Sequence, residues 1–417
     1  MEIINHYSVD AIRSYKENFN ADIVLYGAGN GASSYSKISL AALNSLNLKP
    51  DYFIDDDLSR AGTNLFDLEI RPPNFLAENL NKKIIFLSSN YFESIKNTLL
   101  KLGIVEHVYS STDIIKNAPQ SAFNNVMKYE EVLRRLHAHS TKLNRIQNMS
   151  LSSDKLILNA IDVQVTEKCT MKCKDCSNLM QYYEKPVNVD SRALESNIEI
   201  LLQAVDAIDD VRIIGGEPFL YNELPSLFKI LTQSEKVYRI TVYSNATFVP
   251  KPQILKALKN KKIEVEITDY DYLSKNHNEM IEAFNENKIN YITHKPQNWT
   301  DSARIVKNDK THSQLKEMFD RCCVNDVLSL LHGRIYHCPF SANAHNLKAI
   351  ESDKLDWIDL DDCKNPNELR VHLMNFYFGR DYQAACKYCL GRDFSQPKVI
   401  PALQTKNVIP LNIVNIN

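Results

Sequence analysis

The nine cysteines of this 417-residue chain are unevenly placed. None precedes Cys169, three fall within Cys169-Thr-Met-Lys-Cys173-Lys-Asp-Cys176, and six lie from Cys322 to Cys389. Cysteines that serve only as small apolar residues would scatter, so groups this tight favour metal. The first group has the spacing C-x3-C-x2-C on one short loop. Three thiolates there can bind three irons of a cubane cluster and leave the fourth iron open, whereas a cluster usually takes four cysteines. Zinc is the competing ligand chemistry, but it favours paired C-x2-C knuckles with a fourth ligand close by.

Cys322-Cys323, Cys338 and Cys386-Lys-Tyr-Cys389 form a second set. Val327–Leu331, His332-Gly333 and Arg334–His337 read as a β-hairpin with Gly333 in its turn, which brings the Cys322/Cys323 pair and Cys338 together at the open end. The later C-x2-C completes four thiolates. Four thiolates suit a fully ligated [4Fe–4S] cluster and tetrahedral zinc equally well. Sequence does not choose between Cys322 and Cys323, and Cys363 is left without a role.

The elements that must hold these residues alternate between strands and helices. Ile23–Tyr26, Tyr52–Ile54, Ile84–Leu87 and Val105–Tyr109 make one series of expected strands. Ile161–Val165, Asp210–Ile214, Arg239–Tyr243, Ile263–Ile267 and Asn290–His294 make a second. Strands separated by helix-length segments imply parallel sheets with crossovers. The expected organisation is α/β: a Rossmann-like parallel sheet over 1–115, a helical linker over 116–155, a partial (β/α)6 TIM-type barrel over 156–310, a small cysteine-rich hairpin and helix domain over 311–396, and a tail over 397–417. A chain this long needs more than one core.

C-x3-C-x2-C after a first barrel strand resembles the signature of the radical S-adenosylmethionine (SAM) superfamily. The resemblance implies that the open iron chelates SAM and that SAM is cleaved to a 5′-deoxyadenosyl radical, the cofactor carrying the hard chemistry. Gly215-Gly216-Glu217-Pro218 after the second strand resembles the family's GGE motif, which implies contact with the SAM amino group. Glycines there let backbone approach a ligand. Ser244-Asn245 and Thr268 end the third and fourth strands where the family places further SAM contacts. Asp175 departs from the pattern, since the residue before the third cysteine is commonly aromatic and packs near the adenine. The hairpin, Gly-x4-Cys-Pro and C-x2-C are similar to the twitch auxiliary-cluster domain of 2-deoxy-scyllo-inosamine dehydrogenases, which implies a second [4Fe–4S] cluster able to accept an electron. Asp301, Arg304 and Tyr182 are polar residues near the expected barrel mouth that could serve as a base.

Gly27, Gly29, Asn30 and Gly31 after the first strand, with Asp55 and Asp56 after the second, fit the glycine-turn and acidic-strand logic of nucleotide-binding domains. Phosphate would sit on the following helix N-terminus. Ala32-Ser33-Ser34 break G-x-G-x-x-G, which argues against NAD. The pattern is similar to the N-terminal domain of nucleotide-sugar acetyltransferases and implies a UDP-sugar. The formal net charge of −2 gives no ground for nucleic acid. No apolar run reaches the roughly 18 residues of a membrane span, and the N-terminus lacks a signal core. A cytoplasmic enzyme is expected, served by an electron donor such as flavodoxin or ferredoxin and acting on a nucleotide-linked sugar by oxidation or epimerisation. A peptide or protein maturase and a non-enzymatic zinc-binding module are the alternatives.

Overall fold

Strands buried on both faces read as unbroken apolar runs, and Ile23-Val24-Leu25-Tyr26 is one. The computed structural model describes the chain apart from residues 1–2, 5–6, 29–34, 80, 90–91, 130–131, 134, 137–139, 141–142, 144–155, 297, 321, 326, 379–380, 393–396 and 412–417. It divides into two units, Met1–Ser153 and Asp154–Asn417.

The first unit holds β1 (Asp22–Tyr26), β2 (Tyr52–Ile54), β3 (Asn64–Leu65), β4 (Leu68–Arg71), β5 (Lys83–Leu87) and β6 (Val108–Ser110). Their order is β3-β4-β2-β1-β5-β6, and every pair except β3–β4 is parallel. This matches the expected crossover series. The β3–β4 hairpin was not expected: its strands are too short for a periodic signal, and its turn uses Phe66 and Asp67 at φ 52° and 66° without a glycine. The last strand also starts later than expected, with Val105 half exposed before it.

The candidate nucleotide residues of this unit are engaged internally. A Cβ on Gly27 would lie 2.4 Å from the Ser89 Cβ, so packing alone demands glycine. Asp55 accepts the Ala28 N–H at 2.8 Å and pairs with Arg60 at 3.4 Å, while Asp56 accepts the Tyr26 hydroxyl at 3.0 Å. Gly29, Asn30 and Gly31 lie outside the described residues.

The second unit holds β7 (Ile157–Thr166), β8 (Ala207–Gly215), β9 (Val237–Ser244), β10 (Ile263–Thr268), β11 (Tyr291–His294), β12 (Trp299–Thr300), β13 (Val327–Leu331), β14 (Arg334–Tyr336), β15 (Trp357–Asp359) and β16 (Lys398–Val399). One sheet runs β11-β10-β9-β8-β7-β13-β14-β15. Its first six strands are parallel. Amphipathic helices cover it, among them Ser191–Ala204, whose Asp190 cap accepts the Ala193 N–H, and Leu224–Gln233, which opens with a proline in its first turn.

The hairpin β13–β14 forms where expected, with His332 and Gly333 both at positive φ in its two-residue turn. It does not open a separate sheet. Leu328 and Leu330 are fully buried, so β13 has an apolar edge to offer, and it pairs parallel with β7. The cysteine-rich region is thereby continuous with the barrel sheet. The tail also returns, since β16 pairs antiparallel with β12. Among the described residues no helix is long and apolar enough to cross a membrane.

Candidate functional site

Parallel strands point their C-terminal ends one way, and the loops there carry the site. Strand β7 ends at Thr166 and delivers Cys169, Cys173 and Cys176; β8 ends at Gly215 and delivers Gly216 and Glu217. Backbone bonds lock the two loops together: Gly216 N–H to Thr166 O at 2.9 Å and Glu217 N–H to Lys168 O at 2.8 Å. A Cβ on Gly216 would lie 2.1 Å from the Lys168 oxygen and 2.8 Å from the Cys169 Cβ, and one on Gly215 would lie 2.2 Å from the Thr166 oxygen. Both glycines are therefore required by close approach to the root of the cysteine loop.

The three loop cysteines line one cavity of about 470 Å3 together with Gly215, Gly216, Ser244, Asn245 and Thr268. Burial pushes all three thiols up, Cys173 to about 12. Donors are already aimed at two of the sulfurs: the Met171 N–H at Cys169 (3.5 Å) and the Gln404 side-chain amide at Cys173 (3.2 Å). Buried sulfurs that receive N–H donors suit thiolates whose charge a metal would neutralise.

Glu217 and Pro218 do not line this cavity. The Glu217 carboxylate turns inward, fully buried, and accepts Ser244 Oγ (3.0 Å), Asn245 N–H (2.9 Å) and Phe219 N–H (3.2 Å). It ties the end of β8 to the end of β9 and so orients Ser244 and Asn245. Burial raises its pKa to about 7 despite these donors. The side chains of Asp301, Arg304 and Tyr182 are likewise outside the cavity: Asp301 and Arg304 pair with each other at 3.0 Å, and the Tyr182 hydroxyl bonds Ala303 O. Asp175 also lines the cavity. Tyr270 and Trp299 line the same cavity, edge to face at 5.8 Å.

Deeper in, the cavity floor is ionic. Asp162 and Arg212 are register partners on β7 and β8 and pair at 2.5 Å, with Asp162 buried. Asp210 on β8 pairs with Arg239 at 2.7 Å and accepts Thr241 Oγ1 on β9. Buried ion pairs are retained at a desolvation cost, so a polar barrel interior points to a polar ligand above it. Sequence reasoning passed over Asp162 and Arg212; a charged residue inside an apolar strand run was the available signal.

The second set divides between two cavities. Cys322, Cys338, Cys386 and Cys389 surround a small closed cavity, whereas Cys323 faces the larger one with Arg212 and Arg392. The turn before Cys386 is pinned by Asp356, which accepts the Ala384 and Ala385 N–H groups, and Asn308 clamps the C-x2-C turn by donating to Cys386 O and Cys389 O. Cys338 caps the helix Pro339–Asn346 and accepts the Ser341 N–H at 3.4 Å, and Cys389 accepts the Gly391 N–H at 3.3 Å. Cys363 lies apart, its thiol on Asp359 O. Among the described residues, no three His, Cys, Asp or Glu side chains converge on the position of a single metal ion. Cubane ligands bind separate irons and need no such convergence.

Residues 163–332 match the family described as the Radical SAM superfamily. The match covers 170 of the 417 residues and implies SAM and a [4Fe–4S] cluster as cofactors. The chain is 25% identical over 138 residues to a GTP 3′,8-cyclase of Peptoclostridium acidaminophilum, across 33% of this chain and 38% of that protein. Among solved structures it is similar to anSMEcpe with bound AdoMet and peptide (15% identity, 62% of this chain, 93% of that one, TM-score 0.35). It is also similar to BtrN with AdoMet and 2-DOIA (14% identity, 61% and 98%, TM-score 0.33) and to Streptococcus suis SuiB bound to S-adenosylmethionine (14% identity, 58% and 52%, TM-score 0.29). The chain thus spans 38% of the cyclase's length and about half of SuiB's.

Proposed function

We propose that this protein is a radical SAM enzyme with a second, auxiliary [4Fe–4S] cluster, which oxidises or epimerises a hydroxyl-rich, nucleotide-linked sugar. When bound, these groups supply a hydrogen-abstracting 5′-deoxyadenosyl radical and a one-electron acceptor. Cys169, Cys173 and Cys176 would hold the first cluster, with Gly215, Gly216, Ser244, Asn245 and Thr268 around SAM. Cys322, Cys338, Cys386 and Cys389 would hold the second. Tyr270 and Trp299 offer flat apolar faces that exclude water from the reacting centre.

The observation that carries the substrate class is the cavity floor. Asp162, Arg212 and Tyr243 present donors and acceptors to the space beyond the SAM residues, which suits several hydroxyl groups better than an apolar side chain. Asp162 also offers a carboxylate for the proton that leaves an alcohol carbon or oxygen, and burial beside Arg212 raises its pKa on balance. A low-potential flavodoxin or ferredoxin would supply electrons.

The test is anaerobic incubation of reconstituted enzyme with SAM, a reductant and a panel of nucleotide sugars, with 5′-deoxyadenosine quantified. Substrate-dependent release supports the reading. Release only with peptides would transfer the chemistry to a maturase.

A further inference from the structure

Two side chains at the closed cysteine cavity have no role in holding it together. Gln383 is 2% exposed, lines the cavity with the four cysteines, and neither its amide nitrogen nor its carbonyl oxygen has a hydrogen-bond partner. A buried amide left unpartnered is costly. It therefore points to an occupant that accepts its N–H. Arg392 lines this cavity and the larger SAM-side cavity as well. Its guanidinium donates to Ser177 O at 3.4 Å, next to Cys176, and its backbone oxygen accepts the Cys323 N–H. Among the described residues it forms no ion pair with a carboxylate. The charges it faces are the sulfurs of Cys322, Cys323, Cys338 and Cys389 on one side, and the Cys176 sulfur and the Asp162 carboxylate on the other.

We infer that Arg392 and Gln383 set the reduction potential of the auxiliary cluster, and that Arg392, standing between the two cavities, makes each cluster sense the charge of the other. The inference rests on the two-cluster reading above. A cluster gains one negative charge on reduction. A fixed cation and an N–H donor beside its sulfurs stabilise the reduced form and raise the potential. A positive wall between two anionic centres also relieves their mutual repulsion. Gln383 acts on one centre only, because it lies outside the SAM-side cavity. Both are positioning residues that act through the cluster rather than on substrate.

The experiment uses the full chain with Cys169, Cys173 and Cys176 changed to Ala, so that only the auxiliary signal remains. Iron and sulfide are counted after anaerobic reconstitution, and the midpoint potential is read by EPR-monitored titration. Arg392→Met is expected to lower the reduction equilibrium constant by about tenfold, equivalent to about 59 mV for one electron. Gln383→Leu lowers it by less, and Arg392→Lys stays close to the parent. Unchanged potentials in Arg392→Met and Gln383→Leu, with iron retained, overturn the inference. Should Arg392→Met fail to load, Arg392→Lys decides: a parent-like potential supports the charge role, and a fully lowered one overturns it. A parent that takes up no iron is a separate result and rejects the second cluster itself. In the intact chain, Arg392→Met should lower the potential of the SAM cluster too, whereas Gln383→Leu should not.

Discussion

Gln404 and Cys173 are separated by 231 residues, yet the Gln404 amide donates to the Cys173 sulfur at 3.2 Å. The contact belongs to a strap. Gln404 Oε1 accepts the Lys172 N–H at 2.8 Å, Leu403 O accepts the Lys174 N–H at 2.7 Å, and the Thr405 N–H donates to Lys172 O at 2.8 Å. The chain after β16 thus lies along the cluster loop as a short antiparallel partner. Gln404→Leu removes these two side-chain bonds, together with the one its amide donates to Ala402 O, and leaves the backbone ones. The cluster should still load its irons, and its reduction equilibrium should fall by about threefold, the equivalent of an exposed hydrogen bond worth under about 1 kcal/mol. Potentiometric EPR on the reconstituted chain checks this.

Gly216→Ala is the harshest small change the site can receive. The new methyl would meet the Lys168 carbonyl at 2.1 Å and Cys169 at 2.8 Å, and backbone cannot yield as a flexible side chain does. The Thr166–Gly216 and Lys168–Glu217 bonds would open and the cysteine loop would move. SAM affinity is expected to fall at least about tenfold, or about 1.4 kcal/mol, with thermal stability reduced. Equilibrium dialysis with labelled SAM and a melting curve read the two effects. Unchanged SAM binding would detach the glycine turn from the cofactor.

The sequence displayed the parallel strands and the first cysteine loop because each is a local signal: an apolar run, or three thiols in eight residues. It also placed the β13–β14 turn at His332-Gly333. What it concealed is non-local. That β13 joins β7 depends on which sheet edge is free, and nothing near Val327 encodes that. Glu217 looked like a ligand contact because it follows the Gly215-Gly216 turn; only the fold shows Ser244, Asn245 and Phe219 surrounding its carboxylate. Arg392 and Gln383 carry no motif at all. The cavity they share is lined by three separate stretches of chain, so only the fold distinguishes them from surface residues.

The buried Glu217 carboxyl gives stability a pH dependence of definite sign. Its pKa rises from 4.5 to about 7 on folding, so between those values the native state holds a proton that the unfolded state has lost. The stabilisation from this group is fully present below about 4.5 and is lost as pH rises through about 7. Its full size is on the order of 3 kcal/mol, since each pH unit separating the folded and unfolded values contributes about 1.4 kcal/mol. Glu217→Gln removes the titration, although its amide then opposes an N–H or O–H donor. Urea unfolding from pH 5 to 8 should show stability declining more steeply with pH in wild type than in Glu217→Gln. Parallel profiles would mean that the three donors already hold the carboxylate ionised across that range.

Cys322 and Cys323 are adjacent in sequence but face different cavities, and this predicts opposite outcomes for the same substitution. Cys322 shares its cavity with Cys338, Cys386 and Cys389, so Cys322→Ser removes one of four ligands and should cost the auxiliary iron, leaving about four of about eight irons per chain. Cys323 opens instead onto the SAM-side cavity beside Arg212 and Arg392. Cys323→Ser should therefore retain about eight irons while altering the cavity that receives substrate. Loss of auxiliary iron in Cys323→Ser, with retention in Cys322→Ser, would reverse the assignment. Loss in both would mean that the pair must be intact to shape the loop. Iron and sulfide analysis of the two variants, reconstituted side by side, separates these cases, and 5′-deoxyadenosine release by Cys323→Ser then reports what the second thiol contributes to turnover.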